Sequence, residues 1–276
     1  LYLRGLGIDM RRVFIDCGGY MATSVKNFLN NYSNAEEYEI YSFEPTPEFA
    51  KFYKKYRSRK DLKVRHIPKL VWIKDGKEMW NNYKSESNSF YDRGQMRQSD
   101  LTNKMEHRKH QRIDCIDFSK WIKANFSKDD HIILKMDIEG AEYKVFEKMF
   151  KDNTITYINK LYLEWHVFKF RGEQSNIWTH LETFEKLIFD YKLVPLNWDA
   201  GFKNKNTKKY IIKESVSWGP SIFAKKITKT RNKDIKRRWA KLYEQIEKEF
   251  GYKYPWKRFR PSLPHIDLLP QKVEKT

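Results

Sequence analysis

Four short strand-like runs in this chain each lead into an acidic residue, and this pattern constrains the fold more than any other. Val13-Phe14-Ile15 ends in Asp16, Tyr38 to Phe43 in Glu44, His131 to Met136 in Asp137, and Tyr157 to Leu163 in Glu164. Between them, apolar residues recur at helical spacing: Val25, Phe28, Leu29 and Tyr32, then Phe49, Phe52 and Tyr53 behind Pro47, then Val145, Phe146 and Met149. Leu181, Phe184, Leu187 and Ile188 repeat the pattern later. Strands alternating with helices at this interval form a mostly parallel sheet covered on both faces, the doubly wound α/β class. Ligands of such sheets lie at the carboxyl ends of the strands, where these acids stand.

Leu62 to Ile67 and Ile113 to Ile116 are further strands, and Asp117 caps a helix through Trp121 and Ile122. Lys74-Asp75-Gly76-Lys77, between Val71-Trp72-Ile73 and Glu78-Met79-Trp80, predicts a hairpin with Asp-Gly at its tip. Asn81 to Arg112 is polar and weakly patterned, as a long loop or lid would be. Two late strands are expected near Leu193 to Leu196 and Ser217 to Ala224. Ile235, Trp239, Leu242, Ile246 and Phe250 then define one amphipathic helix stopped by Gly251, expected to pack on the main domain and followed by a proline-rich tail. The expected organisation is a main domain over 1–228 and a basic helix and tail over 229–276.

Charge separates the same two regions. The net charge is +19, and residues 203–276 hold 21 of the 55 basic side chains but only 7 of the 36 acidic ones. Such a segment can attract polyanions (a nucleic acid, a phosphorylated glycan or an anionic membrane surface) by counterion release, and a merely solvated lysine-rich surface is the alternative reading. No apolar run approaches the roughly 20 residues of a membrane helix. Arg4, Asp9, Arg11 and Arg12 break any signal-peptide pattern. Two cysteines, Cys17 and Cys115, make neither a disulfide framework nor a zinc cluster, which fits a reducing, cytoplasmic setting. A first strand so near the start suggests a domain of a longer protein.

At the strand ends, Asp16 precedes Gly18-Gly19, a turn that lets a ligand approach the backbone and leaves amides exposed before a helix. The spacing is not the G-x-G-x-x-G of dinucleotide folds, which argues against a nicotinamide dehydrogenase. An acid in front of the glycines repels pyrophosphate and suits a ligand with an ammonium group. Glu44, followed by Pro45, is placed to accept both hydroxyls of a ribose. Ribose at one end and a cation at the other describe S-adenosylmethionine. Asp137, Glu139 and Glu142 crowd three carboxylates into six residues, a cost unless a cation or a hydroxyl shares them. Glu164-Trp165-His166 adds an acid and a histidine beside Asp137. Asp137, Glu164 and His166 are thus candidates for a base with its orienting partner or for divalent-cation ligands. Glu142 is expected only to complement the helix dipole.

Five segments together resemble the FkbM-type S-adenosylmethionine-dependent O-methyltransferases. They are Val13 to Gly19, Tyr41 to Pro45, Ile113 to Phe118, Leu134 to Glu142 and Leu163 to His166, spread between about Arg12 and Lys226. The Lys135-x-Asp137-x-Glu139-Gly140-Ala141-Glu142 block is the most specific of them. Gly19-Tyr20 and Ala22 depart from the family, which commonly has Ala-Asn and a glycine there. The resemblance implies a Rossmann-like class I methyltransferase fold with a seven-stranded sheet and methyl transfer to a hydroxyl, often of a sugar or glycan. It implies cofactor contacts at Asp16, Gly18, Gly19, Glu44, Pro45 and Asp137, catalytic roles for Asp137, Glu164 and His166, and acceptor contacts at Lys135, Glu139 and Ser89. Ser89 sits in a loosely matching Ser87-Asn88-Ser89-Phe90 segment. An RNA ribose methyltransferase using the basic segment is the competing expectation, although no second lysine completes the Lys-Asp-Lys-Glu set common there. A non-catalytic scaffold of the same fold is the other.

Overall fold

The computed structural model describes residues 10–82, 109–167, 173–198, 215–217 and 231–252. The chain divides into two compact units, Leu1–Pro220 and Ser221–Thr276.

The first unit is built on six parallel strands: β1 (Arg12–Cys17), β2 (Glu39–Phe43), β3 (Lys63–Ile67), β7 (His131–Met136), β8 (Ile158–Leu163) and β9 (Pro195–Leu196). Their order is β3-β2-β1-β7-β8-β9. Successive strands step outward on one side of β1, and the chain then restarts at β7 on its other side. The reversal leaves a crevice at the carboxyl ends of β1 and β7, where ligands of open α/β sheets bind. Val13, Phe14, Ile15, Ile132, Ile133 and Leu134 are fully buried, as strands covered on both faces must be. One cover is α1 (Thr23–Asn31), whose Phe28 ring stacks on Phe14 at 4.0 Å between centroids. The seventh strand expected in this sheet is not formed among the described residues. Val216 makes a single antiparallel bridge to Leu196, and most of Ser217 to Ala224 lies outside them.

The hairpin expectation is wrong. β4 (Leu70–Trp72) and β5 (Gly76–Asn82) both pair with β6 (Lys109–Asp117), which lies between them in a separate three-stranded sheet. β4 runs parallel to β6 and β5 antiparallel to it. The Asp-Gly turn is real, but a nine-residue strand offers each arm more hydrogen bonds than the three-residue β4 could offer β5. Asp75 Oδ1 accepts the Asp117 amide at 3.1 Å, which ties that turn to the start of α3 (Phe118–Asn125). The Asp117 cap is as expected, its side chain accepting from the Lys120 amide at 3.0 Å.

α2 (Lys54–Arg57) follows a 3-10 turn over Pro47–Tyr53, and α4 (Glu142–Lys151) follows β7. α5 (Glu173–Glu185) runs on into a π-helical turn over Lys186–Asp190. In the second unit, α6 (Lys233–Phe250) has the predicted stripe, with Ile235, Trp239, Leu242 and Ile246 buried. Asn232 caps its first turn, and Gly251 ends it at φ 70°. No helix among the described residues is long and apolar enough to cross a membrane.

Candidate active site

Strand register assembles the floor of the crevice. Ser42, Asp16 and Lys135 are direct cross-strand neighbours on β2, β1 and β7, so their side chains share one face. Asp16 is fully buried; its Oδ2 accepts Ser42 Oγ–H at 2.7 Å, and its Oδ1 lies 3.3 Å from Lys135 Nζ. Lys135 Nζ also donates to Gly18 O at 3.0 Å and Asp137 Oδ2 at 3.2 Å. Burial works against this ammonium, but Asp137 and Asp16 outweigh it and raise its pKa. One expectation changes here. Asp16 does not open onto the cavity, so it cannot meet a ligand's ammonium group directly. Lys135 lines the cavity, and its charge is already shared among two carboxylates and a carbonyl.

The glycines serve packing more than amide donation. Gly18 N and Gly19 N both donate to Phe43 O at 3.0 Å, so neither amide is left for a ligand. Gly18 has φ 87°, and a Cβ there would meet the Asp137 carbonyl oxygen at 1.8 Å. A Cβ on Gly19 would meet Tyr53 Oη at 2.1 Å and Ser42 Oγ at 2.2 Å. Ala22 takes φ 59°, a left-handed conformation that glycine enters without strain, which explains why glycine suits this position.

The cavity above this floor is lined by Gly18, Glu44, Pro45, Lys135, Asp137 and Glu139, with Tyr20, Phe49 and Trp80 among its aromatic walls. Glu44 is 6% exposed; Oε1 accepts the Thr46 amide and Oε2 the Tyr20 amide, each at 2.8 Å. Burial pushes its pKa up to about 7 against the pull of those donors. Trp80, at 4% exposure, has an indole N–H with no acceptor among the described residues.

The turn after β7 gathers the carboxylates of the site. Glu139 (φ 60°) and Gly140 (φ 105°) are consecutive left-handed residues, held by the carboxylate of Glu142. Glu142 is fully buried at the start of α4 and accepts the Ile138 amide on Oε1 at 3.0 Å and the Gly140 amide on Oε2 at 2.9 Å. Its Oε1 also accepts His166 Nδ1–H at 2.7 Å. A dipole-complementing role therefore understates Glu142: it shapes the turn and orients the histidine, the part expected of Glu164. The Glu164 side chain is 65% exposed, and its Oε1 lies 3.7 Å from His166 Nε2.

His166 comes into place because its neighbour Trp165 is buried, donating Nε1–H to Ser217 O at 2.7 Å. With Nδ1 turned to Glu142, Nε2 faces Asp137 Oδ1 at 3.8 Å and Glu139 Oε2 at 3.7 Å. These three groups can bring one ligand atom each within 4.8 Å of one another. Burial disfavours a charged ring, but Glu142, Asp137 and Glu164 together raise the His166 pKa to about 9. Asp137 and His166 are thus brought together, with Glu139 rather than the exposed Glu164 as their nearer carboxylate companion, and Glu44 and Pro45 line the cavity. Ser89 lies outside the described residues. The sequence offered one missed signal for Glu142: an acid opening a helix directly after a glycine turn can cap that turn.

No curated protein and no solved structure gives a significant match to the chain. The family model described as Methyltransferase FkbM domain matches residues 16–202, more than half of the chain. The chain belongs to this family of S-adenosylmethionine-dependent methyltransferases.

Proposed function

We propose that this FkbM-family methyltransferase places its methyl group on a hydroxyl of a neutral sugar or glycan. The observation that carries the reading is the charge of the reaction end: Asp137, Glu139 and Glu164 gather around His166 beside the cavity, while Lys135 is already held by carboxylates. Such a mouth repels a phosphate-rich acceptor and offers acceptors to polyhydroxyl ligands. An RNA acceptor is therefore disfavoured at this site.

The residues fit the cofactor. Glu44 lines the cavity with a buried carboxylate suited to ribose hydroxyls, the Trp80 N–H lacks an acceptor among the described residues, and Asp137 and Glu139 offer negative charge to a sulfonium and an ammonium. When bound, S-adenosylmethionine supplies a methyl carbon whose bond to sulfur breaks as the acceptor oxygen bonds to it. Alignment of the reacting atoms supplies about 7–11 kcal/mol in well-oriented systems, so holding the acceptor is most of the work. Asp137 is the better of the two expected bases, because His166 at about 9 holds its proton at neutral pH. The hydroxyl proton passes to Asp137, which Lys135 fixes from the other side, and His166, oriented by Glu142, steadies the charge. Cys17 and Cys115, both buried free thiols, suit a cytoplasmic, reducing setting.

The test supplies a methyl-labelled cofactor with neutral oligosaccharides in one reaction and RNA in another. Label in the sugar fraction is expected. Label in RNA alone would reject the acceptor assignment and leave the methyltransferase assignment standing.

A further inference from the structure

The least expected feature of the site is the position of His166 Nε2. The side chain is only 10% exposed and Nδ1 is satisfied, yet Nε2 makes no hydrogen bond among the described residues. Its carboxylate neighbours, Asp137 Oδ1 at 3.8 Å and Glu139 Oε2 at 3.7 Å, stand beyond hydrogen-bond reach. Separations of this size suit two ligand atoms bound to one ion at about 2.1–2.4 Å. We propose that Asp137 Oδ1, Glu139 Oε2 and His166 Nε2 form a binding site for one divalent cation of the Mn2+ or Mg2+ kind.

Three further observations agree. A histidine that ligates a metal through one nitrogen typically donates its other N–H to a carboxylate, and Glu142 accepts from Nδ1 at 2.7 Å. That carboxylate is itself locked by two backbone amides, so the ring has a fixed partner and forfeits the Nδ1 bond if it turns away. Charge points the same way. Asp16, Asp137, Glu139 and Glu142 converge on one region, where Lys135 is the lysine paired with Asp16 and Asp137. Two carboxylate oxygens with one imidazole favour Mn2+ or Mg2+ over thiolate-seeking metals. The ligand set differs by one member from that suggested by sequence, because exposed Glu164 gives way to Glu139, which the left-handed turn swings inward.

The inference rests on the proposed hydroxyl acceptor and changes several roles: Asp137 holds the ion instead of taking the proton, Glu139 turns from the cofactor to the ion, and His166 gives up its Nε2 proton in favour of the ion that replaces it. A hydroxyl bound to the ion would lose its proton more readily, and Glu164, at the solvent edge, would receive it.

The test titrates Mn2+ into the full chain and follows it by calorimetry and electron paramagnetic resonance. One saturable ion per chain is expected, with nitrogen coupling from a single imidazole in the wild type. Glu139→Gln and His166→Ala should abolish it, Glu142→Gln should weaken it by about 10–100-fold, and Glu164→Gln should leave it within about 3-fold. Circular dichroism and the thermal unfolding midpoint report the folding of each variant. Absence of saturable Mn2+ binding, absence of nitrogen coupling, or retention of the ion in Glu139→Gln and His166→Ala each overturns the site. If methyl transfer to a sugar then persists in chelator, the proposed function survives with Asp137 as base.

Discussion

At Glu44, burial opposes the charge that cofactor recognition needs. The unfolded carboxyl ionises near 4.5 and the folded one near 7. Between those values the folded state holds the extra proton, so stability from this group falls as pH rises through that window. The total is on the order of 3 kcal/mol. Ribose hydroxyls donating to the carboxylate favour its ionised form, so cofactor binding should release a proton near pH 6–7. Calorimetry in buffers of different ionisation heat reads this directly. Affinity should weaken as pH drops below about 7 in the wild type and stay flat in Glu44→Gln. Glu44→Gln should itself bind the cofactor about 10–150-fold more weakly, the worth of hydrogen bonds to a charged group. Equal affinity across pH in the wild type would show that Glu44 does not touch the ligand.

Between β1 and β7, the Asp16–Lys135 pair shows how an element interface prepares a site. Lys135→Met leaves Asp16 buried without its cation and should cost about 3–5 kcal/mol in denaturant melts, with Asp16→Asn in the same chain recovering part of it. An additive double variant would mean that the pair is not coupled. Gly18→Ala should be at least as harmful, because the added carbon meets a backbone carbonyl that cannot swing aside. Most of this sheet was legible: β7 has the predicted bounds of His131 to Met136, and β2 and β8 fall within a residue of theirs at the start. Strands buried on both faces announce themselves by apolar runs. The second sheet was not legible, because its middle strand comes from more than thirty residues further along and overrides a local turn signal. Asp16 was misplaced for a related reason. A period-2 pattern says which side of a sheet a residue faces, but not that a lysine on the neighbouring strand lines the cavity while the acid beneath it is fully buried.

Over the whole molecule, charge and catalytic fold are divided along the sequence. The family match ends at residue 202, and the basic excess lies in 203–276. Association of the chain with a polyanion such as heparin should therefore fall steeply between about 50 and 200 mM salt, while cofactor affinity, set by buried groups, should hardly change. Retention on heparin that ignores salt would refute the electrostatic origin. The nearness of Asp137 to His166 was legible because both belong to motifs that directly follow strands. The sequence missed the oriented ring, since the contact between residues 142 and 166 depends on how α4 meets β8. The central claim is that Asp137 works on the acceptor beside a cofactor cavity, and turnover of Asp137→Asn against a neutral sugar acceptor tests it most directly. Turnover should fall by about 10²–10⁴-fold while the cofactor dissociation constant moves by less than about 10-fold. Undiminished turnover in that variant would contradict the account.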